Sequence, residues 1–209
     1  MVYFPPEILI EIVKRVGRHG FRELGPFIAS GKDGKNAVFS SEVLVETDLD
    51  EFIFVSSLSN EGTPFWSFFM KCFDARNVTA LYVEGLRRLV KYGPSIESLE
   101  LIYRAEGPIV YAAFAYGIFA ICVGRYEEGR TAMHILALHI SWLDEMVEIS
   151  EAVMAQIADL EPPLSGNYDG TYRYPEGDIP NCVHFACTMN DVCFDCLPYK
   201  YSHRVRQLC

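Results

Sequence analysis

Basic residues are in short supply. The 209 residues include 18 Lys and Arg against 28 Asp and Glu, a net charge of −10. A surface that grips a phosphate backbone needs the opposite balance, so a nucleic-acid binder is not expected. Long apolar runs are lacking too. The longest, Ile109 to Val123, has fifteen residues, short of the ~20 that cross a bilayer. Its small residues, among them Ala112, Ala115, Gly117 and Ala120, suit a buried helix packed closely on its neighbours. No basic lead and no long uncharged apolar core stand before Glu7, so no export signal is expected. Catalytic signatures are missing as well. "GKDGKN" (31–36) lacks the phosphate-loop spacing, and no Gly-x-Ser-x-Gly elbow occurs. His134 and His139 in "HILALH" sit five apart, off a shared helix face and without the Glu of a His-Glu-x-x-His site. Cys122 in its apolar run is no credible nucleophile. An enzyme is not expected.

Half of the residues are hydrophobic, enough for one or two domains with a real core. The opening stretch "FPPEILIEIVKRV" (4–16) has the signals of a helix. Pro5 and Pro6 fit its first turn, Glu7 and Glu11 lie early, Lys14 and Arg15 late, and Glu11–Arg15 is an i,i+4 pair. Gly17 and Gly20 are plausible stops. Its apolar residues exceed one stripe. Ile8, Ile12 and Val16 form one row, Leu9 and Val13 an adjoining one, and Ile10 lies roughly opposite. Such a helix is either sandwiched in a core or shares its faces between a core and a partner.

The chain reads as all-α, in five segments. Residues 1–48 form a small helical domain broken by Gly25-Pro26, Gly31 and Gly34, and 49–78 connect through a helix around "PFWSFFMKCF". Residues 79–160 are the longest helical stretch. Residues 161–181, rich in Pro and Gly, read as a linker, and 182–209 as a Cys/His-rich tail. Within the third segment "ALYVEG" (80–85) echoes "AAFAYG" (112–117) at a spacing of 32, and "YG" at 92–93 echoes "VG" at 123–124. A period near 34 marks helix–turn–helix repeats. Trp142, Met146, Ile149, Val153, Ile157 and Leu160 then make one apolar stripe that would cap the stack.

The cysteine count is odd, seven, with no export signal. In a reducing compartment, nucleus or cytoplasm, that favours metal over disulfides. Cys72 and Cys122 stand in apolar contexts and read as buried thiols. The Asn77-Val78-Thr79 glycosylation pattern carries no meaning in a chain that is not secreted. In the tail, Cys193-x2-Cys196-x6-His203-x5-Cys209 offers four ligands of the kind that hold a structural Zn²⁺. Cys182 and Cys187 are alternative donors for Cys209 or His203, and His184 lies among them.

The opening stretch, continued as "FPPEILIEIVKRVGRHGFRELGPF" (4–27), resembles an F-box, which opens on Leu-Pro-x-Glu-Leu-x-x-Glu-Ile-x-x-Arg-Val. The matching positions are Phe4, Pro5, Glu7, Ile8, Glu11, Ile12, Arg15, Val16 and Glu23-Leu24. "ALYVEG…AAFAYGIFAICVGRYEEG" resembles TPR-like or Sel-like repeats. With the Cys-rich end, nearly the whole chain is similar to a plant family of F-box proteins.

The resemblance implies a fold, an F-box-like helical bundle followed by a TPR-like stack. It also implies a function, that of a substrate receptor in an SCF-type cullin–RING ubiquitin ligase. Its F-box would bind the Skp-type adaptor through Phe4, Pro5, Ile8, Leu9, Ile12, Val16 and Leu24, and its repeats a protein target. No nucleic acid or membrane is implied as partner. The family often continues with Ser-Cys-Lys-x-Phe where this chain has Ser30-Gly31-Lys32-Asp33-Gly34. Glycine in a helix costs ~1 kcal/mol, so a loosened second half of the F-box is expected. The rival expectation is therefore a helical interaction scaffold with a degenerate F-box that joins no ligase.

Overall fold

The computed structural model describes residues 5–107, 109–185 and 193–209, without the side chains of 184 and 185. Every regular element among them is helical. The chain divides into two units, Met1–Val83 and Glu84–Cys209.

The first unit opens with α1 (Pro6–Gly17). Pro6 sits in the first turn, where an N–H has no partner to lose. Glu7 and the Lys14–Arg15 pair suit the two ends of the helix dipole. The two apolar rows of α1 part company. Val13 is fully buried with Leu24, Ala37, Val38 and Val43, and Leu9 packs against that cluster. Ile8 and Ile12 stay exposed. α2 (Gly25–Ala29) and α3 (Lys32–Val38) touch at Gly34. A Cβ on Gly34 would lie 2.3 Å from the Phe27 carbonyl oxygen. This glycine, expected to loosen the region, is what lets the two short helices meet.

α4 (Ser41–Glu46) lies against α1. α5 (Asp50–Phe54) and α6 (Trp66–Asp74) add an aromatic layer. There Phe21 meets Phe52 at 4.9 Å and Phe65 at 5.3 Å, and Phe52 stacks on Phe69 at 5.1 Å.

Asn77, directly before α7 (Val78–Tyr92), is buried. Its Oδ1 accepts from the Ala80 N–H at 3.2 Å, an N-cap. Its Nδ2 donates to the carbonyls of Leu44, Val45 and Thr47 at 3.1, 3.2 and 2.8 Å. One side chain thus opens α7 and satisfies carbonyls that the end of α4 leaves over. The glycosylation-like pattern is a structural one.

The second unit is arranged around α9 (Val110–Cys122), which is apolar on every side and almost wholly buried. It packs on α8 (Ile96–Tyr103), α10 (Tyr126–His139) and α11 (Leu143–Asp159). Beyond α12 (Asn181–Phe185), the final helix α13 (Leu197–Leu208) packs on α9 too. No described helix is long and apolar enough to cross a membrane.

The sequence echo has a spatial meaning. A Cβ on Gly85 of α7 would lie 2.9 Å from the Ser98 carbonyl oxygen of α8. Its counterpart Gly117 of α9 faces α10: a Cβ on Gly129 would sit 2.5 Å from the Gly117 carbonyl oxygen. The second echo marks the helix ends. Gly93 (φ 87°) follows α7 and Gly124 (φ 91°) follows α9, both in the left-handed region that ends helices.

Residues 161–181 run over these two turns. Tyr168 is fully buried, and its hydroxyl donates to the Leu89 carbonyl at 2.8 Å. The Thr171 hydroxyl donates to the Cys122 carbonyl at 2.8 Å. The loop therefore supplies donors to final-turn carbonyls of both α7 and α9. In α7, Glu84 (1% exposed) bonds Arg87 and Arg88, at 2.8 and 2.6 Å.

The stripe expected on the last helix of the stack is buried from Met146 to Leu160. Trp142 departs from it. It precedes α11 in an extended conformation and is 75% exposed.

Urea unfolding of four variants tests these contacts. Gly129→Ala forces a methyl into backbone and lowers stability by about 2 kcal/mol or more. Gly117→Ala costs less, because its Cβ meets the flexible end of Met133. Asn77→Ala costs about 2–4 kcal/mol, a lost cap plus orphaned buried carbonyls. Asn77→Asp keeps a cap acceptor but turns a carboxylate on three carbonyls, and falls at least as far; full stability in Asn77→Asp would contradict the carbonyl-collecting role.

Candidate docking surfaces and thiol cluster

α1 presents the first candidate surface. Ile8 is 50% and Ile12 38% exposed, one turn apart. With Glu7, Glu11 and Arg15 they line a shallow depression of about 370 Å³. Glu11 and Arg15 are paired on the helix itself. Glu11 receives Lys14 at 2.8 Å and Arg15 at 3.1 Å, and these two cations hold its carboxyl below the usual range. The apolar stripe is thus flanked by the Glu11–Lys14–Arg15 ion cluster and by Glu7.

The other residues expected at this surface fall in different places. Pro5 is exposed; Leu9 and Val16 are half-buried. Leu24 is fully buried in the core beside Val13 and has no surface to offer a partner. It closes the short helical turn Phe21–Leu24, which aims it at the inward row of α1. Phe4 lies outside the described residues.

A second apolar surface lies in the other unit. Ile135 and Leu138 on α10 are 51% and 72% exposed, and Trp142 follows just beyond the helix. The spacing 135, 138, 142 places them along one side (i, i+3, i+7) as far as the helix runs. Sequence reading assigned Trp142 to the core stripe. Its neighbour Ile140 (8% exposed) is the residue that turns inward where α10 ends. His134 and His139 are both exposed, and the His139 ring lies 2.8 Å from the Ile135 carbonyl.

The tail holds the third feature. The Sγ atoms of Cys182, Cys193 and Cys196 all lie within 4.8 Å of one another. Cys182 and Cys193 approach to 3.5 Å, well beyond a disulfide bond of about 2.05 Å. Cys182 comes from α12. Cys193 and Cys196 form the turn that opens α13, closed by the Leu197 N–H donating to the Cys193 carbonyl at 3.1 Å. The Cys193 N–H donates to Cys196 Sγ at 3.2 Å.

Burial pushes the Cys193 thiol up. Hydrogen bonds from the Cys196 backbone and from the Cys182 and Cys196 side chains outweigh it and hold the thiol below its ordinary value. Three converging thiols of this kind could hold a soft metal ion. Cys182 and Cys193 also line a pocket of about 840 Å³ with Tyr126, His134, Tyr174 and Phe194.

The structure keeps only part of the expected ligand set together. Cys193 and Cys196 stand with Cys182, whereas His203 and Cys209 are not in the group. The reason is the rise of α13, about 1.5 Å per residue. His203 is carried two turns away, where it stacks on Tyr199 at 5.8 Å. Cys209 ends the helix far from the cluster, buried, with its carbonyl accepting from the Asn167 N–H and the Ser165 hydroxyl. Burial pushes its thiol up to about 12, as it does that of Cys72. Cys122 is buried completely and its thiol is raised as well. Cys187 and the His184 side chain lie outside the described residues.

No family model, no curated protein and no solved structure matches the chain.

Proposed function

We propose that this chain is a non-catalytic bridging subunit, the substrate receptor of an SCF-type cullin–RING ubiquitin ligase. Its F-box-like first unit docks the Skp-type adaptor through Pro5, Ile8 and Ile12. Its TPR-like second unit offers Ile135, Leu138 and Trp142 to a protein target. A structural zinc ion in the tail belongs to the same reading, and the nucleus or cytoplasm is where it would act.

The observation that carries the reading is the division of labour on α1. Leu9 and Val13 serve the unit's own core, while Ile8 and Ile12 are left to solvent. Exposed aliphatic pairs of this sort, with charged residues at their rim, suit the centre of a protein interface. Two apolar surfaces in two separate units are what a connector needs, because its effect is to raise the local concentration of one partner near another. The rival reading, a helical scaffold whose F-box is too loose to bind, draws its case from Gly31 and Gly34. The tight fit of Gly34 on Phe27 weakens that case.

The test is titration calorimetry of the full chain against a Skp-type adaptor. Ile8→Lys and Ile12→Lys are each expected to cost about 2 kcal/mol or more, roughly thirtyfold in affinity. Both positions are exposed, so the melting temperature should stay near wild type. Full-strength binding by both variants overturns the α1 assignment. A folded wild-type chain that ignores the adaptor supports the scaffold.

A further inference from the structure

We infer that Cys182, Cys193 and Cys196 are the protein ligands of one zinc ion, which ties α12 to the start of α13. This deepens the zinc element of the proposed function and does not depend on adaptor docking.

The argument begins with spacing. Zn–S bonds of about 2.3 Å in a tetrahedron set the sulfurs about 3.8 Å apart. The Cys182 and Cys193 sulfurs are 3.5 Å apart, and all three lie within 4.8 Å of one another. Little closing movement is needed for an ion to sit among them.

The local backbone fits the same purpose. In Cys193-x2-Cys196 the Cys193 carbonyl accepts from the Leu197 N–H, and the Cys193 N–H points at the Cys196 sulfur. The two sulfurs are therefore brought together by a tight turn, and the turn opens directly into α13. The positive end of that helix favours thiolates. Cys182 arrives from a separate short helix. A metal bond between them would tie the five-residue helix α12 to α13, which is already seated on α9 through buried Leu197, Tyr201 and Val205.

The burial pattern adds direction. Cys196 is buried at 3% exposure, whereas Cys182 and Cys193 are half-buried and line the 840 Å³ pocket. The ion would thus enter from the pocket side. Of the tail's other thiol and imidazole groups with described side chains, Cys209 and His203 are held elsewhere by their own contacts. Cys209 is anchored by the loop at 165–167, and His203 lies on Tyr199 with Gln207 at 3.2 Å.

The experiment measures zinc in the full chain purified under reducing conditions, then the thiolate-to-metal absorption after exchange with Co²⁺. Wild type should carry one zinc per chain and show strong thiolate charge transfer. Cys182→Ser and Cys193→Ser should lose zinc while far-UV circular dichroism still reports a helical chain. His203→Ala and Cys209→Ser should keep it. Because Cys209 is buried, His203→Ala is the decisive control. Retention of zinc in Cys182→Ser together with its loss in His203→Ala would overturn the ligand assignment and leave a zinc-bearing tail. A wild-type chain that takes up neither metal would overturn both. Adaptor binding read on the same samples stands or falls separately.

Discussion

The second unit depends on backbone meeting backbone where α9 crosses α10. Gly117 and Gly129 allow it, and no larger residue at 129 would, because a carbonyl oxygen occupies the space. That approach lets an apolar helix be covered on every side by α8, α10, α11 and α13. Burying a helix completely leaves its end carbonyls in need of donors. The loop at 168–171 supplies one to α9 through Thr171 and another to α7 through Tyr168, and the last residues of α13 tie to the adjoining 164–167 stretch through Leu164 and Asn167. The cover around α9, its Thr171 cap and the docking of α13 on it thus belong with one close contact.

The first unit solves a different problem. Its helices are short, several of only five to seven residues, and such helices have little stability of their own. They are held by shared core residues around Val13 and Leu24, by the Phe21 cluster, and by Asn77, which gathers three carbonyls. With its core satisfied by one row of α1, the unit leaves the other row unused. That leftover row is the basis of the functional proposal.

The helical class was legible because the apolar rows repeat at helix spacing, and the run from Ile109 to Val123 could be read as a buried helix from its small residues. The echo of Gly85 in Gly117 was legible as spacing, but not as contact, since close approach is a property of two helices and not of one. The same limit explains Gly34. A propensity scale counts a glycine in a short helix as a loss, and only the neighbouring Phe27 carbonyl makes it necessary. Trp142 was misplaced because its period continued past the point where the helix begins. Leu24 was read as a contact residue by likeness to a motif, whereas the turn at 21–24 aims it inward. The ligand set was legible in Cys193, Cys196 and the alternative donor Cys182 but not in His203 and Cys209, for a related reason. Spacing along the chain cannot tell that α13 carries His203 and Cys209 away from the turn at 193–196, nor that Cys182 folds back to it.

The central claim is that α1 keeps one face for its own unit and offers the other to an adaptor. Hydrogen–deuterium exchange of the full chain, with and without a Skp-type adaptor, tests it directly. The account predicts slowed exchange over residues 5–17, with 126–142 unchanged and left for a target. No change over 5–17, or protection confined to 126–142, would contradict it.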